Sequence, residues 1–289
     1  MEIEKCRILI SAIETGSISA AAEELGYTPS GVSRSIASLE EEMGFPLLIR
    51  GKSGVRPTND CESILPKLRD AVNLQEGIMQ SAALVRGLEI GSVVVGTAYP
   101  AYNQLLAEMI VSFRELHPGI DITLTEGTSS QLCEQLNLHK LDLAIVSRRD
   151  KTPSFECIKK DNLRIWVNKD HPAAKKGVFK TSDLANEKFI QIYPGMETDN
   201  SIFLNKMGIK PDICASTNDI YAAYSMVETG LGVALINETL SDIWQGNVIA
   251  LPMDKAYEVE IGLASQSPDE TSSAAAAFAE FIRENLTGH

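Results

Sequence analysis

The chain has 289 residues, of which 44% are hydrophobic and 22% are charged, values that are typical of a globular protein and exclude long disorder. No run of about 18 apolar residues occurs, so the sequence predicts no membrane-spanning helix and no membrane partner. The acidic N-terminus lacks the basic segment of a secretory signal, and we expect a cytoplasmic protein. The five cysteines are odd in number and show no Cys-x-x-Cys spacing, so we expect neither a zinc site nor a disulfide framework. No metal site and no cofactor are expected.

The net charge of −13 is distributed unevenly. Residues 1–58 contain six Lys or Arg and eight Glu, a net charge of −2, and the remaining residues carry −11. Four of those six cations fall between positions 34 and 56. A small basic surface on an acidic protein suits contacts with a few phosphates, not a general affinity for polyanions.

Apolar residues at helical spacing predict a first helix over residues 2–14, which Gly16 ends. The residues at this spacing are Ile3, Cys6, Ile10 and Ile13. Ser19 is suited to cap a second helix, Ala20–Leu25, and Gly26 follows at the position where a left-handed residue ends a helix.

A third helix is predicted from Thr28 at the N-cap and Pro29 at the first helical position to about Met43. Its apolar face, formed by Val32, Ile36 and Leu39, should pack on the first two helices. Ser30, Ser33 and Arg34 point the other way. Two helices joined by a tight glycine-containing turn, the second with polar side chains, form the helix-turn-helix pattern.

The chemistry of this segment fits DNA. Serines exchange hydrogen bonds with base edges or phosphates, and an arginine can bind guanine through two hydrogen bonds. The apolar stretch 46–50 and the Gly-rich basic turn 51–57 predict a β-wing that reaches a phosphate or the minor groove. The alternative is a three-helix bundle that binds protein. The candidate DNA-binding residues are Thr28, Pro29, Ser30, Ser33, Arg34, Arg50, Lys52 and Arg56.

Residues 20–58 closely resemble the DNA-binding signature of LysR-type regulators. The matching features are Ala-Ala with a Leu shortly after it, Val-Ser-Arg, Leu-Glu, Met-Gly, a strand that ends in Arg, and a closing Arg-x-Thr. Pro29 stands where many members have Gln, and Ile49 where Phe is usual, so the preferred operator sequence does not follow. The resemblance implies a sequence-specific transcription regulator, not an enzyme, whose operator binding responds to a small-molecule effector.

The resemblance also implies the fold class. An N-terminal winged helix-turn-helix (1–58) and a linker helix (59–87) would precede an α/β effector domain (88–289) of the two-lobed, periplasmic-binding-protein-like type. Lobe one would comprise residues 88–162 and 266–289, and lobe two residues 163–265. The expected partners are double-stranded DNA, the effector and further copies of the chain. RNA polymerase is a further candidate.

The linker segment has an apolar seam with approximate heptad spacing. Its members are Ile64, Leu65, Leu68, Val72 and Met79. We expect this seam to pair two subunits, as a homodimer or a dimer of dimers, because one helix-turn-helix seldom makes enough contacts for specificity. The alternative is a helix folded back on its own chain.

The third segment alternates strand and helix patterns, which predicts a parallel sheet covered on both faces. The predicted elements include strands 92–96, 120–125, 141–146, 163–167 and 259–264 and helices 130–138 and 273–286. Ligands of such sheets bind beyond the carboxyl ends of the strands. By the resemblance, the effector candidates are Thr97, Tyr99, Thr128, Ser129 and Arg148, with Tyr193 and Thr217 from the opposite lobe. The alternative is that the hydroxyls are helix caps and that Arg148 is solvated or paired with an acid.

Two other classes remain as alternatives. An enzyme is disfavoured, because the four histidines show no metal-ligand spacing and no nucleophile, Walker or dinucleotide motif occurs. A redox sensor would need an accessible, acidic cysteine with a partner. Cys157 precedes Lys159 and Lys160, which favour a lowered pKa, whereas Cys214 lies in an apolar strand and is expected to be buried and inert.

Overall fold

The computed structural model describes residues 2–51, 54–85, 90–241, 243–267 and 270–286. Three helices open the chain, followed by a hairpin and a long helix. They are α1 (Ile3–Thr15), α2 (Ile18–Leu25), α3 (Pro29–Met43), β1 (Leu48–Gly51), β2 (Gly54–Pro57) and α4 (Asn59–Val85). This order confirms the predicted winged helix-turn-helix followed by a linker helix.

Local capping sets the ends of the second and third helices. At α3, the Thr28 hydroxyl accepts a hydrogen bond from the Gly31 amide at 3.1 Å, as the sequence predicts. The predicted cap of α2 was wrong, because Ser17 and not Ser19 accepts from the Ala20 amide. Gly16 ends α1 in the left-handed region (φ 65°), so the chain has already turned when it reaches Ser17.

The first half of α4 packs on the helix-turn-helix of its own chain. Leu68 and Val72 are buried in the same core as Leu9, Ile36 and Leu47. Leu65 is buried and Ile64 is partly buried as well. Four of the five residues of the predicted dimerisation seam are therefore covered by their own chain, and the alternative of a helix folded back on its own chain holds for this half.

The second half of α4 exposes apolar side chains: 65% of Leu74, 59% of Ile78 and 60% of Met79 are accessible. Pro66 lies inside the helix and does not end it. Although α4 has 27 residues, neither it nor another helix of the described residues is long and apolar enough to cross a membrane.

The second part of the chain, which follows α4, contains nine strands and five helices among the described residues. In chain order they are β3 (Gly91–Thr97), α5 (Asn103–Leu116), β4 (Ile120–Glu126), α6 (Ser129–Asn137), β5 (Leu143–Ser147), β6 (Ser154–Asn168), β7 (Lys188–Ile192), α7 (Asp199–Met207), β8 (Asp212–Thr217), α8 (Ile220–Glu228), β9 (Ala234–Asn237), β10 (Val248–Pro252), β11 (Glu258–Ser265) and α9 (Ser273–Leu286). Strand and helix alternate through most of this segment, in agreement with the predicted α/β class.

The main sheet is mixed, not parallel throughout as predicted. Strands β4, β3 and β5 are parallel, and β11 pairs antiparallel with both β5 and β6. The 15-residue strand β6 belongs to both lobes, because its first part pairs with β11 and its second part with β9 and β10. The structure therefore has two lobes joined through one continuous strand.

This pairing corrects the predicted lobe boundaries. The boundary between residues 162 and 163 falls inside β6. Strand β11, predicted in lobe two, belongs to lobe one, because Ile261 pairs with Ser147 and packs in one core with Phe278 of α9. A second core, which contains Phe203 and Val233, lies in lobe two. The second crossover between the lobes thus precedes β11.

Candidate DNA-binding surface and effector cavity

The start of α3 presents an exposed polar face. Thr28, Pro29, Ser30 and Arg34 are exposed, and Ser33 is half-buried. The Arg34 Nε donates to the Ser30 carbonyl oxygen at 3.3 Å, which holds the guanidinium along the same face. The opposite face of α3 is buried in the core of the domain. Hydroxyl groups and a guanidinium are thus displayed together on the side that faces away from the protein.

The two cations of α1 form ion pairs with acidic residues of the same chain. Lys5 lies 2.6 Å from Glu42 and also donates to Ser38, and Arg7 lies 2.5 Å from Glu76. The hydrogen bond from Lys5 lowers the pKa of the Glu42 carboxyl. Within the described part of the chain, no carboxylate forms an ion pair with the exposed arginines of the recognition helix and the wing. These arginines are Arg34, Arg50 and Arg56.

The wing is a hairpin fixed against the helix-turn-helix. The Val55 amide donates to the Gly16 carbonyl oxygen at 2.9 Å, and the Glu40 carboxylate accepts from the backbone of β1. Arg56 pairs with Ile49, and Arg50 with Val55. Directly opposed residues share one face of a hairpin, so Arg50 and Arg56 lie on opposite faces. Lys52, which follows β1 in the sequence, lies outside the described residues.

A small cavity of about 60 Å³ lies between the two lobes, with room for a few water molecules. Lobe one contributes residues that follow β3, precede or begin α6, or follow β5. Lobe two contributes the turn after β7, the start of α7, and β9. The polar residues that line the cavity are Tyr99, Thr128, Ser129, Arg149, Tyr193, Thr198, Asp199, Asn200 and Asn237.

Asp199, at the first position of α7, is the centre of the polar network in this cavity, and only 8% of it is exposed. Its carboxylate accepts hydrogen bonds from the Tyr99 hydroxyl (2.8 Å) and the Ser147 hydroxyl (2.6 Å), and Arg149 Nη2 lies 3.0 Å away. Asn237 Nδ2 is 3.4 Å distant. Burial, together with the Asp199 charge, raises the pKa of Tyr99 well above its usual value. A lobe-two carboxylate is thus held by three lobe-one donors.

Four of the seven predicted effector residues line the cavity: Tyr99, Thr128, Ser129 and Tyr193. Thr97 and Thr217 do not, because their hydroxyls accept from the backbone amides two residues further on and close local turns. Arg148 does not line it either, since its guanidinium lies 2.6 Å from Glu260. Its neighbour Arg149 occupies the position expected of Arg148.

Two of these lining residues also serve the alternative role of helix cap or structural anchor. The Thr128 hydroxyl accepts from the Gln131 amide, and the two residues form a reciprocal capping box at α6. The Ser129 hydroxyl accepts from the Ser147 amide at 3.0 Å. These structural roles at the start of α6 are therefore sufficient to explain why Thr128 and Ser129 lie at the cavity.

Sequence reasoning missed Asp199, Asn200 and Asn237. A signal was present, because Thr198 begins a helix shortly after strand β7 and accepts from the Ser201 amide as its cap. This is the same arrangement of a strand, a polar turn and a helix start that identified the lobe-one candidates.

The cysteines divide into two groups. Cys6, Cys61 and Cys133 are buried, whereas Cys157 and Cys214 are exposed, and all five are free thiols. The prediction of a buried Cys214 was wrong, because most residues of β8, at the edge of its two-stranded sheet, are exposed. Burial raises the pKa of Cys61 to about 11. The described residues contain no group of three or more potential metal ligands.

Two family models match the chain. The bacterial regulatory helix-turn-helix protein model of the lysR family matches residues 3–62, and the LysR substrate binding domain matches residues 86–287. The protein is therefore a DNA-binding transcription regulator with an effector-binding domain. It belongs to the LysR family, as the signature in residues 20–58 indicated.

Individual relatives agree with this assignment. The chain is 28% identical over 98% of its length to the uncharacterized HTH-type transcriptional regulator YvbU of Bacillus subtilis, of which it covers 98%. It is 24% identical to the regulator BudR of Raoultella terrigena, over 91% of this chain and 94% of BudR. These relatives are named as transcriptional regulators, which agrees with the expectation of a transcription regulator.

Solved structures show the same fold. A full-length OxyR variant from Pseudomonas aeruginosa superposes with a TM-score of 0.76 at 19% identity. The superposition covers 99% of this chain and 94% of the OxyR chain. Full-length CbnR in complex with its target DNA gives a TM-score of 0.61 at 20% identity, over 99% of this chain and all of that chain. The fold class predicted from the sequence is thereby confirmed.

Proposed function

We propose that the exposed face at the start of α3 contacts the bases of the operator. Thr28, Ser30, Ser33 and Arg34 supply the direct contacts, and Pro29 sets the start of the helix. The observation that carries this assignment is that Arg34 is exposed beside Ser30 without an acidic partner among the described residues, whereas Lys5 and Arg7 are paired. A free guanidinium of this kind is suited to bind guanine in the major groove.

The wing arginines act on the DNA backbone in this proposal. Arg50 and Arg56 lie on opposite faces of the hairpin, so they contact phosphates on either side of the wing, together with Lys52. Contacts of this type strengthen binding to every sequence and carry most of its salt dependence.

The regulator acts as an assembly of identical chains, since one helix-turn-helix covers one half-site. We assign the contact between copies to the exposed apolar side chains of the second half of α4, namely Leu74, Ile78 and Met79. Sedimentation velocity of the full chain distinguishes a homodimer from a dimer of dimers. RNA polymerase is a further partner to be tested on the operator complex, and the expected location is the cytoplasm, where the DNA lies.

The cavity between the lobes is the proposed effector site. Asp199 of lobe two is bound by donors of lobe one, so a molecule that enters there must alter the contact between the lobes. An effector shifts the conformational equilibrium only by its difference in affinity for the two arrangements. Its binding would change the spacing of the two helix-turn-helix units on the DNA.

Mobility shift with fragments of the DNA upstream of the protein's own coding region, in excess competitor DNA, tests the regulator. A discrete complex that resists competition, and whose footprint changes in length when an effector is added, is the expected result. A footprint whose length and DNA bend are the same with and without saturating effector would contradict the proposed effector mechanism.

A further inference from the structure

We infer that the molecule bound in the cavity between the lobes presents a neutral hydrogen-bond donor, a hydroxyl group, and not a carboxylate. Asp199 already fills the position that an anion would occupy, and Asn200, which also lines the cavity, has an unpaired acceptor. This assignment of a ligand class rests on the proposed effector role of the cavity.

The anion position is defined by the donors that converge on Asp199. The Tyr99 hydroxyl, the Ser147 hydroxyl and the Arg149 guanidinium all lie within 3.0 Å of its carboxylate oxygens. Three donors from one lobe around one carboxylate form a complete anion site. A second carboxylate at this position would meet Asp199 directly, and two like charges at close range disfavour each other.

The cavity also offers an anionic ligand no spare positive charge. Arg149 and Asp199 are the charged residues among those that line it, and they are paired with each other. Arg148, the other cation after β5, is paired with Glu260 and stacks over the Phe155 ring at 4.3 Å. The lining is therefore neutral, and a carboxylate, like an ammonium group, would be desolvated there without a countercharge.

Asn200, another lining residue, carries an acceptor without a donor. It donates through Nδ2 to the Leu235 carbonyl oxygen at 2.8 Å, and its Oδ1 is buried without a hydrogen-bond partner among the described residues. Buried polar atoms are nearly always paired, so an unpaired acceptor on a residue of the cavity lining indicates a missing partner. A ligand hydroxyl group supplies the donor that Asn200 lacks.

The rest of the cavity lining is apolar and limits the size of the ligand. Its apolar residues include Ile192, Ile220, Leu235 and Leu240. With about 60 Å³ available, the part of the ligand that enters the cavity is compact, with a short aliphatic chain and a hydroxyl group.

Three probes that share a three-carbon chain test the assignment: propionate, 1-propanol and propylammonium. Their dissociation constants for the full-length protein are measured by ligand-observed NMR at millimolar concentration and constant ionic strength. We expect 1-propanol to bind about tenfold more tightly than propionate or propylammonium, a difference of about 1.4 kcal/mol. Propylammonium is the control for charge of the opposite sign, because the neutral lining offers it no countercharge either.

Asp199→Ala should reverse this order, because it vacates the anion position and frees Tyr99, Ser147 and Arg149 to bind propionate. Asp121→Ala, at an exposed acid of β4, is the matched control and should leave the order unchanged. If Asp199→Ala does not fold, Asn200→Ala replaces it and should weaken the binding of 1-propanol only.

Propionate or propylammonium that binds the wild-type protein as tightly as 1-propanol, or 1-propanol that does not bind, would overturn the assignment. The proposed function is tested by a different experiment, because it requires a specific operator complex in the mobility shift. Operator binding that responds to a carboxylate effector in this cavity would contradict the ligand class alone.

Discussion

The Glu14 carboxylate, at the end of α1, lies 3.0 Å from the Arg69 guanidinium on the long helix α4. Only 6% of the Arg69 side chain is exposed, whereas Glu14 is 42% exposed. The same carboxylate oxygen lies 3.5 Å from Lys140 in lobe one. Glu14 therefore joins the DNA-binding domain, the linker helix and the effector domain of one chain.

Glu14→Gln should lower the free energy of unfolding by about 1–2 kcal/mol, because it leaves the buried Arg69 charge without its partner. Thermal or urea unfolding measures the loss. Lys140→Gln is the control, since it removes only the exposed contact and should cost less than about 0.5 kcal/mol. Equal losses in both variants would mean that Arg69 does not depend on Glu14.

Gly54→Ala should displace the wing. Gly54 has a φ of 108°, and a Cβ at this position would overlap the Gly16 carbonyl oxygen. We expect a loss of about 1–3 kcal/mol in stability and weaker binding to all DNA sequences alike. Gly51→Ala is the matched control, because a Cβ there meets no atom within 4 Å. If both variants unfold and bind alike, the contact between the wing and Gly16 does not position the hairpin.

Asp142→Asn should stabilise the protein at neutral pH. Burial raises the pKa of the Asp142 carboxyl, although the Val94 amide donates to it at 2.7 Å. The folded state therefore disfavours the charged form, so stability falls as pH rises from the unfolded-state pKa through the raised folded-state pKa. The variant should gain up to about 1 kcal/mol at pH 7, and the gain should vanish in acid.

Urea unfolding at pH 7 and in acid measures this difference. Asp121→Asn, at an exposed site, should change stability by less than about 0.5 kcal/mol at both pH values. A loss of stability at pH 7 in Asp142→Asn would mean that the charge is stabilised by its hydrogen bond more than it is penalised by burial.

Alkylation of the native protein should modify Cys157 and Cys214 and spare the three buried cysteines. The exposed pair is accessible to the reagent, whereas burial raises the pKa of Cys6, Cys61 and Cys133. Mass spectrometry after brief treatment with iodoacetamide shows which cysteines are alkylated. A bond between Cys157 and Cys214 after mild peroxide would instead favour the redox-sensor alternative.

The helix-turn-helix was predictable because its signals are local. Thr28, Pro29 and the glycines at helix ends act within a few residues of their own position. The partner of the α4 seam was not predictable, because Leu68 and Val72 show the same apolar spacing whether they meet their own domain or a second copy.

The cavity was only half predictable for a similar reason. The polar turns after the lobe-one strands identified Tyr99 and Ser129. The contact between Tyr99 and Asp199 joins residues 100 positions apart and depends on how the two lobes pack. All residues of β5 are buried, so strand alternation could not show that Arg149 and not Arg148 enters the cavity.

The most direct test of the account is operator affinity of Arg34→Ala, measured by mobility shift against specific and unrelated DNA. We predict a loss of about 1–3 kcal/mol on the operator and a smaller loss on unrelated DNA, so that the ratio between them falls. Lys160→Ala, an exposed cation of the effector domain, should bind as the wild type does. An Arg34→Ala protein that keeps its preference for the operator would contradict the assignment of α3 as the recognition helix.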